Sequence, residues 1–115
     1  MINSRRFTKI IAPSLLSAGA LLFVSPANAA SPVTAANKAL FKSNCGSCHV
    51  LKAASTHGAV GPNLNTNHDA LGKIVNQITN GGRFMPPFSQ TRGGKLTTTQ
   101  IKAIAAYVIA VRGKK

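Results

Sequence analysis

The only two cysteines of this chain lie three positions apart and are followed at once by a histidine, in Cys45-Gly-Ser-Cys48-His49. Two thiols at this spacing can close thioethers onto the two vinyl groups of one porphyrin while the adjacent imidazole reaches the iron. The segment therefore reads as a covalent attachment site for one haem c, held through Cys45 and Cys48 with His49 as a metal ligand. A chain built around such a site has to enclose a flat macrocycle and settle what meets the other face of the iron. The alternatives explain less. A disulfide between Cys45 and Cys48 makes a small strained ring and leaves His49 without a role. A zinc site that recruits His57 and His68 has no compact Cys/His spacing to support it.

Apart from Met1, the single methionine is Met85, in Gly81-Gly-Arg-Phe-Met85-Pro86-Pro87-Phe88. It is the leading second metal ligand. A thioether is soft and favours ferrous iron, so a His49/Met85 pair raises the potential and leaves no open coordination position, which suits an electron carrier. Pro86 and Pro87 fix their own φ angles, and Pro86 holds Met85 extended, so the sulfur sits on a stiff loop. Phe84 and Phe88 read as hydrophobes that flank Met85 and shield the cofactor. A rival chemistry, ligand binding or peroxidase-like turnover after loss of Met85, needs an acid–base group. The chain offers only Asp69 as a carboxylate side chain, with His57 as the one histidine that could move into such a role. The expectation is therefore a protein with no catalytic residues of its own.

Ahead of the motif, Arg5, Arg6 and Lys9 precede an apolar stretch from Ile10 to Val24, and Ala27-Asn-Ala29 follows with small residues. This order marks a secretory signal peptide over residues 1–29, too short in its apolar part to span a bilayer, and it predicts export to the periplasm. Residues 30–115 then form the haem domain. So short a chain buries too little surface for an ample core, so the haem is expected to supply the missing apolar volume. Charge is one-sided: fourteen Lys and Arg stand against one acid. Without Arg5, Arg6 and Lys9, eleven basic residues remain against Asp69, a formal charge of +10. Such a surface speeds encounter with acidic redox proteins or membrane electron-transfer complexes and is also compatible with adsorption to anionic membranes. The basic residues are scattered without interleaved aromatics, which argues against nucleic acid. Any single one of Lys52, Lys73, Arg83 and Arg92 is expected to be solvated.

Three helices are legible. The first spans Thr34 to Asn44, with Ala36, Leu40 and Ser43 on one side, Phe41 beside them, and Lys38 and Lys42 outward. The second spans Asp69 to Asn80, begun by Asn67 or His68, with Asp69 in its first turn and Leu71, Ile74, Val75 and Ile78 as its apolar side, and it stops at Gly81-Gly82. The third follows the capping-box spacing Thr97 to Gln100 and carries Ile101, Ile104, Val108 and Val111, with Arg112, Lys114 and Lys115 at its C-terminal dipole end. Residues 50–66 read as an irregular loop, and no β-alternation of useful length appears. The fold class is all-α, three to four helices wrapped around one covalently attached haem.

Cys45 to His49, Gly61-Pro-Asn-Leu64, Met85-Pro-Pro-Phe88 and Leu96-Thr-Thr-Thr-Gln-Ile101 followed by Ala105-Ala-Tyr107-Val108 together resemble the small class I c-type cytochromes of bacteria, over about residues 34–112. The resemblance implies that the Pro62 carbonyl accepts a hydrogen bond from the His49 ring and that Leu64 packs on the haem. It also implies that Phe41 and Tyr107 meet where the first and last helices cross, with Ile104 beside them. Asn37 stands where that family usually has a glycine, which should widen or tilt the crossing slightly. The function implied is that of a soluble, monomeric, periplasmic one-electron carrier. The alternative is a haem subunit or electron-entry unit of an exported multi-subunit oxidoreductase.

Overall fold

Thr97 opens the last helix, α3 (Thr98–Val111), with the reciprocal bonds that its spacing predicts. Gln100 N–H donates to Thr97 Oγ1 at 3.2 Å and Thr97 N–H donates to Gln100 Oε1 at 2.9 Å, so two of the otherwise orphaned helix-start donors are satisfied. The computed structural model describes Gly19 and residues 30–114. The signal segment expected over residues 1–29 lies outside the described residues except for Gly19, as does Lys115. Ile101, Ile104, Val108 and Val111 are all buried as expected, and Ala105 and Tyr107 join them, so α3 is the central strut of the core.

The first helix, α1, runs Ala35–Cys45, with Thr34 as its cap accepting from Asn37 N–H at 3.0 Å. Its buried side differs from the expected one. Ala36 and Ser43 are exposed and Lys38 is half-buried, whereas Phe41 and Cys45 are buried, in one row at four-residue spacing that begins with half-buried Asn37. The large ring decides the rotation. Phe41 packs on Tyr107 of α3 with ring centroids 6.1 Å apart and planes tilted by 46°, which closes the α1–α3 crossing where the resemblance implies it. The Asn37 side chain turns back to donate to the Pro32 carbonyl at 3.0 Å.

Residues 50–66 are more ordered than their composition suggests. Strands β1 (Val50–Leu51) and β2 (Thr56–His57) pair antiparallel, Val50 opposite His57 and Leu51 opposite Thr56, around a 3-10 turn at Lys52–Ala54 that ends with Ser55 at φ +55°. Leu51 and Ala54 are buried, and Thr56 Oγ1 accepts from Leu51 N–H at 3.0 Å. Two-residue strands are too short to leave an alternation in the sequence. A second 3-10 turn, Leu64–Thr66, follows.

The middle helix, α2, starts later than expected, at Leu71, and ends at Asn80. Asp69 precedes it and Ala70 caps it without a side-chain bond. Asn67 acts one turn earlier: its Oδ1 accepts from Asp69 N–H at 3.0 Å and from the Arg112 guanidinium at 3.2 Å. Arg112 also donates to the Asp69 carbonyl at 2.7 Å, so it ties the end of α3 to the entry of α2 rather than simply facing its own helix dipole. On α2 the buried side is Ile78 with Ile74 and Val75 alongside, while Leu71 is 48% exposed. Gly81 stops the helix at φ +70°, a backbone that glycine adopts freely. The chain then folds through a 3-10 turn at Gln90–Arg92, with Ser89 bridged to Leu96, and delivers Leu96 to the core before α3. Among the described residues, three α-helices gather around one apolar centre with a minimal hairpin at the side, the all-α class expected from the sequence.

Candidate functional site

The three helices and the two long connections leave a cleft of about 770 Å³, well within the size range of sites that take organic cofactors. Cys45, Cys48, His49, Pro62, Leu64 and Met85 all line it, so the structure brings together every site residue read from the sequence. Phe41, Ile74, Ile78, Ile104 and Val108 supply an apolar lining from all three helices. His57 and His68 are exposed and do not line it, and among the described residues no group of three or more His, Cys, Asp or Glu is placed to hold a metal ion.

Cys45 ends α1 and is buried, and Cys48 is half-buried. The two sulfurs are not joined to each other. Burial, with a smaller contribution from the neighbouring Cys48, pushes the Cys45 thiol up to about 12, so this position demands a neutral sulfur. A thioether meets that demand permanently. From Cys45 the chain turns tightly, His49 N–H donating to the Cys45 carbonyl at 2.9 Å, and so carries the imidazole to the cleft. His49 Nδ1 lies 2.8 Å from the Pro62 carbonyl oxygen. With the proton on Nδ1, that bond fixes the ring's orientation and leaves the Nε2 lone pair available to a metal. The sequence reading missed why a glycine precedes Pro62. A Cβ at Gly61 would stand 2.5 to 2.9 Å from the His49 ring atoms, so only glycine lets this backbone lie against the imidazole.

Met85 lies beyond α2 in a tight reverse turn. Gly82 N–H donates to the Met85 carbonyl at 2.9 Å, and Met85 N–H donates to the Gly82 carbonyl at 2.5 Å. Arg83, inside that turn, has φ +23°, a left-handed backbone on a residue with a side chain. Gln77, also unforeseen, brings its amide nitrogen to 4.0 Å from the Met85 sulfur. One helical turn before Gly81, it carried no motif that would have drawn attention. Phe84 and Phe88 part company: Phe88 packs against the core, while Phe84 is 83% exposed at the cleft.

Paired thiols, an oriented imidazole and a thioether, all lining one apolar cleft, suit a haem attached covalently. A family model described as cytochrome C oxidase, cbb3-type, subunit III matches residues 32–108. The chain is similar to cytochrome c6 of Leptolyngbya boryana, at 34% identity over 79 residues, 65% of this chain and 88% of the relative. It is also similar to cytochrome c6 of Microcystis aeruginosa, at 37% identity over 76 residues, 62% of this chain and 88% of the relative. The chain belongs to the small monohaem class I c-type cytochromes. Among solved structures this cytochrome is similar to the c-type cytochrome SorU from Sinorhizobium meliloti, with a TM-score of 0.57 and 32% identity, covering 69% of this chain and 94% of SorU. As a cytochrome of this family it carries one covalent haem c, for which Cys45 and Cys48 are the available attachment points, and it is a haem electron carrier that exchanges electrons with other proteins. No helix among its described residues is long and apolar enough to cross a membrane.

Proposed function

We propose that this cytochrome is a periplasmic one-electron carrier in which His49 and Met85 would hold the haem iron, exported by a cleaved signal peptide over residues 1–29 and working as a monomer. The observation that carries the reading is the convergence of His49, oriented by the Pro62 carbonyl, and Met85, held in its reverse turn, on the same apolar cleft. Bound haem supplies the one-electron chemistry, its iron alternating between ferrous and ferric states.

The chain's residues set how that exchange runs. His49 keeps its Nδ1 proton on the Pro62 carbonyl, which raises the donor strength of Nε2 and stops the ring from rotating. Met85 offers a soft sulfur that favours the ferrous state, on a segment stiffened by Pro86 and Pro87. Phe41, Ile74, Ile78, Ile104 and Val108 exclude water, so little solvent has to reorganise when the charge changes. With His49 and Met85 both holding the group, the site would leave no open position on the iron, which would suit it to carry an electron. The excess of basic residues supports partners that are acidic redox proteins or membrane electron-transfer complexes, approached by steering that weakens as salt rises.

Met85→Ala tests the ligand assignment. The variant should still attach haem, show a lower reduction potential and accept an added ligand such as cyanide more readily. Retention of the ferric thioether-to-iron absorption band would show that a different residue is the ligand. A second reading, a haem subunit of an exported oxidoreductase, draws support from the description of the matching family model. Co-purification of a fixed stoichiometric partner from the periplasm at low and at high salt would favour it over the free carrier.

A further inference from the structure

Asparagine followed by glycine occurs once in the chain, at Asn80-Gly81, where α2 ends. Such a pair is chemically labile, because glycine puts no side chain in the way when its backbone nitrogen attacks the asparagine side-chain carbonyl carbon. Here both reacting groups are engaged. Gly81 N–H donates to the Gln77 carbonyl at 2.8 Å, and Asn80 Nδ2 donates to the Asn76 carbonyl at 3.2 Å. A helical ψ at Asn80 also keeps the Gly81 nitrogen out of line with that carbon. The segment that carries Met85 holds this helix end shut. Phe88 N–H donates to the Ile78 carbonyl at 3.0 Å, and Gly82 N–H donates to the Met85 carbonyl at 2.9 Å. A Cβ on Gly81 would stand 2.5 to 2.8 Å from the Met85, Pro86 and Pro87 backbone, so the two segments lie directly against each other. Asn80 itself is exposed, and water reaches it.

We propose that Asn80 is a self-modification site, closed while the Met85 segment is seated on the end of α2 and reactive when that segment lifts. The coupling to haem rests on the ligand reading above, in which the iron would hold Met85 down. Once the cap opens, the Gly81 nitrogen gives its proton to water and bonds to Asn80 Cγ. Nδ2 takes up a proton from water as its bond to Cγ breaks, and ammonia leaves. One water then opens the cyclic imide at either carbonyl, which leaves aspartate or isoaspartate at position 80, and no electrons are exchanged. The product cannot close the cap as before. A carboxylate has no N–H for the Asn76 carbonyl and lies at the negative end of the α2 dipole, and the isoaspartate form adds a backbone carbon beside Gly81. Modification is therefore an irreversible record of opening, and modified molecules open more readily than intact ones.

The test incubates ferric holoprotein at mildly alkaline pH in oxygen-labelled water and follows position 80 by peptide mass spectrometry and an isoaspartate methyltransferase assay. Native wild type should react at least about tenfold more slowly than the same holoprotein unfolded in urea, because the cap has to open first. Met85→Ala should react about threefold or more faster than native wild type, since its segment opens more often. Excess cyanide, which takes a methionine's place on ferric iron, should have the same effect on wild type without any substitution. Asn80→Asp, a mimic of the product, should keep its covalent haem and melt at a lower temperature than wild type. Equal rates in native and unfolded wild type overturn the proposal, as does an Asn80 that stays intact in urea or an Asn80→Asp variant that melts no lower. Wild-type rates in both Met85→Ala and the cyanide complex overturn the coupling. The ferric thioether-to-iron band of Met85→Ala then separates the two failures: its retention shows that the ligand reading is also wrong, and its loss shows that the coupling alone is.

Discussion

Residues 45–62 and residues 77–88 both feed the cleft, and they are built by different means. In the first segment each contact is backbone or ring packed without slack: Cys45 is buried, His49 Nδ1 is 2.8 Å from the Pro62 carbonyl, and Gly61 admits no side chain against the imidazole. In the second, Met85 is held by a short reverse turn with a left-handed Arg83, a 4.0 Å approach from Gln77, and an exposed aromatic neighbour. Even the glycines differ. A Cβ at Gly61 meets an imidazole whose Nδ1 is held by the Pro62 carbonyl, whereas a Cβ at Gly82 meets the Gln77 amide, the far end of a flexible side chain. The segment that anchors the cofactor tolerates no adjustment, and the segment that carries the proposed ligand Met85 is adjustable. Anchoring needs fixed geometry through the life of the protein, while tuning needs side chains that can change without loss of the fold.

Removal of the anchor should have the largest effect. Cys45→Ala combined with Cys48→Ala should yield chain without covalent haem and without a cooperative thermal transition, because a domain this small lacks the core to fold on protein contacts alone. Circular dichroism melts and acid–acetone extraction check this. A sharp transition in the double variant would mean that the helices pack without the cofactor.

The contrast between glycines should come next. Gly61→Ala should destabilise the holoprotein by about 1–3 kcal/mol, the usual cost of overpacking a closed site, and should perturb the haem spectrum through His49. Gly82→Ala should stay within about 0.5 kcal/mol of wild type, since Gln77 can swing away. Denaturant titrations of both holoproteins measure the difference. Equal effects would break the comparison between a rigid and an adjustable segment.

The smallest effect concerns acid stability at the entry to α2. The Asp69 carboxyl is held below its usual range, chiefly because the Lys73 ammonium bonds it at 2.6 Å, with the Asn67 amide contributing. A depressed folded-state value means that the pair's contribution is full above the unfolded value near ~3.9 and is lost as pH falls through the lower folded value. Asp69→Asn should therefore flatten the stability curve below about pH 4 and leave it almost unchanged at neutrality, where an exposed pair of this kind contributes little. Melting temperatures from pH 2 to 7 provide the check.

The sequence alone determined the cofactor, the attachment segment and the candidate ligands, because haem attachment demands particular residue types at particular spacing, and such chemistry is written locally. It likewise determined α3, whose capping box and apolar repeat agree. What it misplaced depended on contacts between distant segments. Which side of α1 is buried was decided by Phe41 meeting Tyr107, and the start of α2 by Asn67, Asp69 and Arg112 bonding across more than forty residues. The hairpin at 50–57 had strands too short to carry a period, so only the burial of Leu51 and the pairing with Thr56 revealed it. Gly61, Gln77 and the separation of Phe84 from Phe88 were visible as letters but silent as chemistry. Their roles depend on what lies within a few ångströms across the fold, and only the tertiary structure decides that.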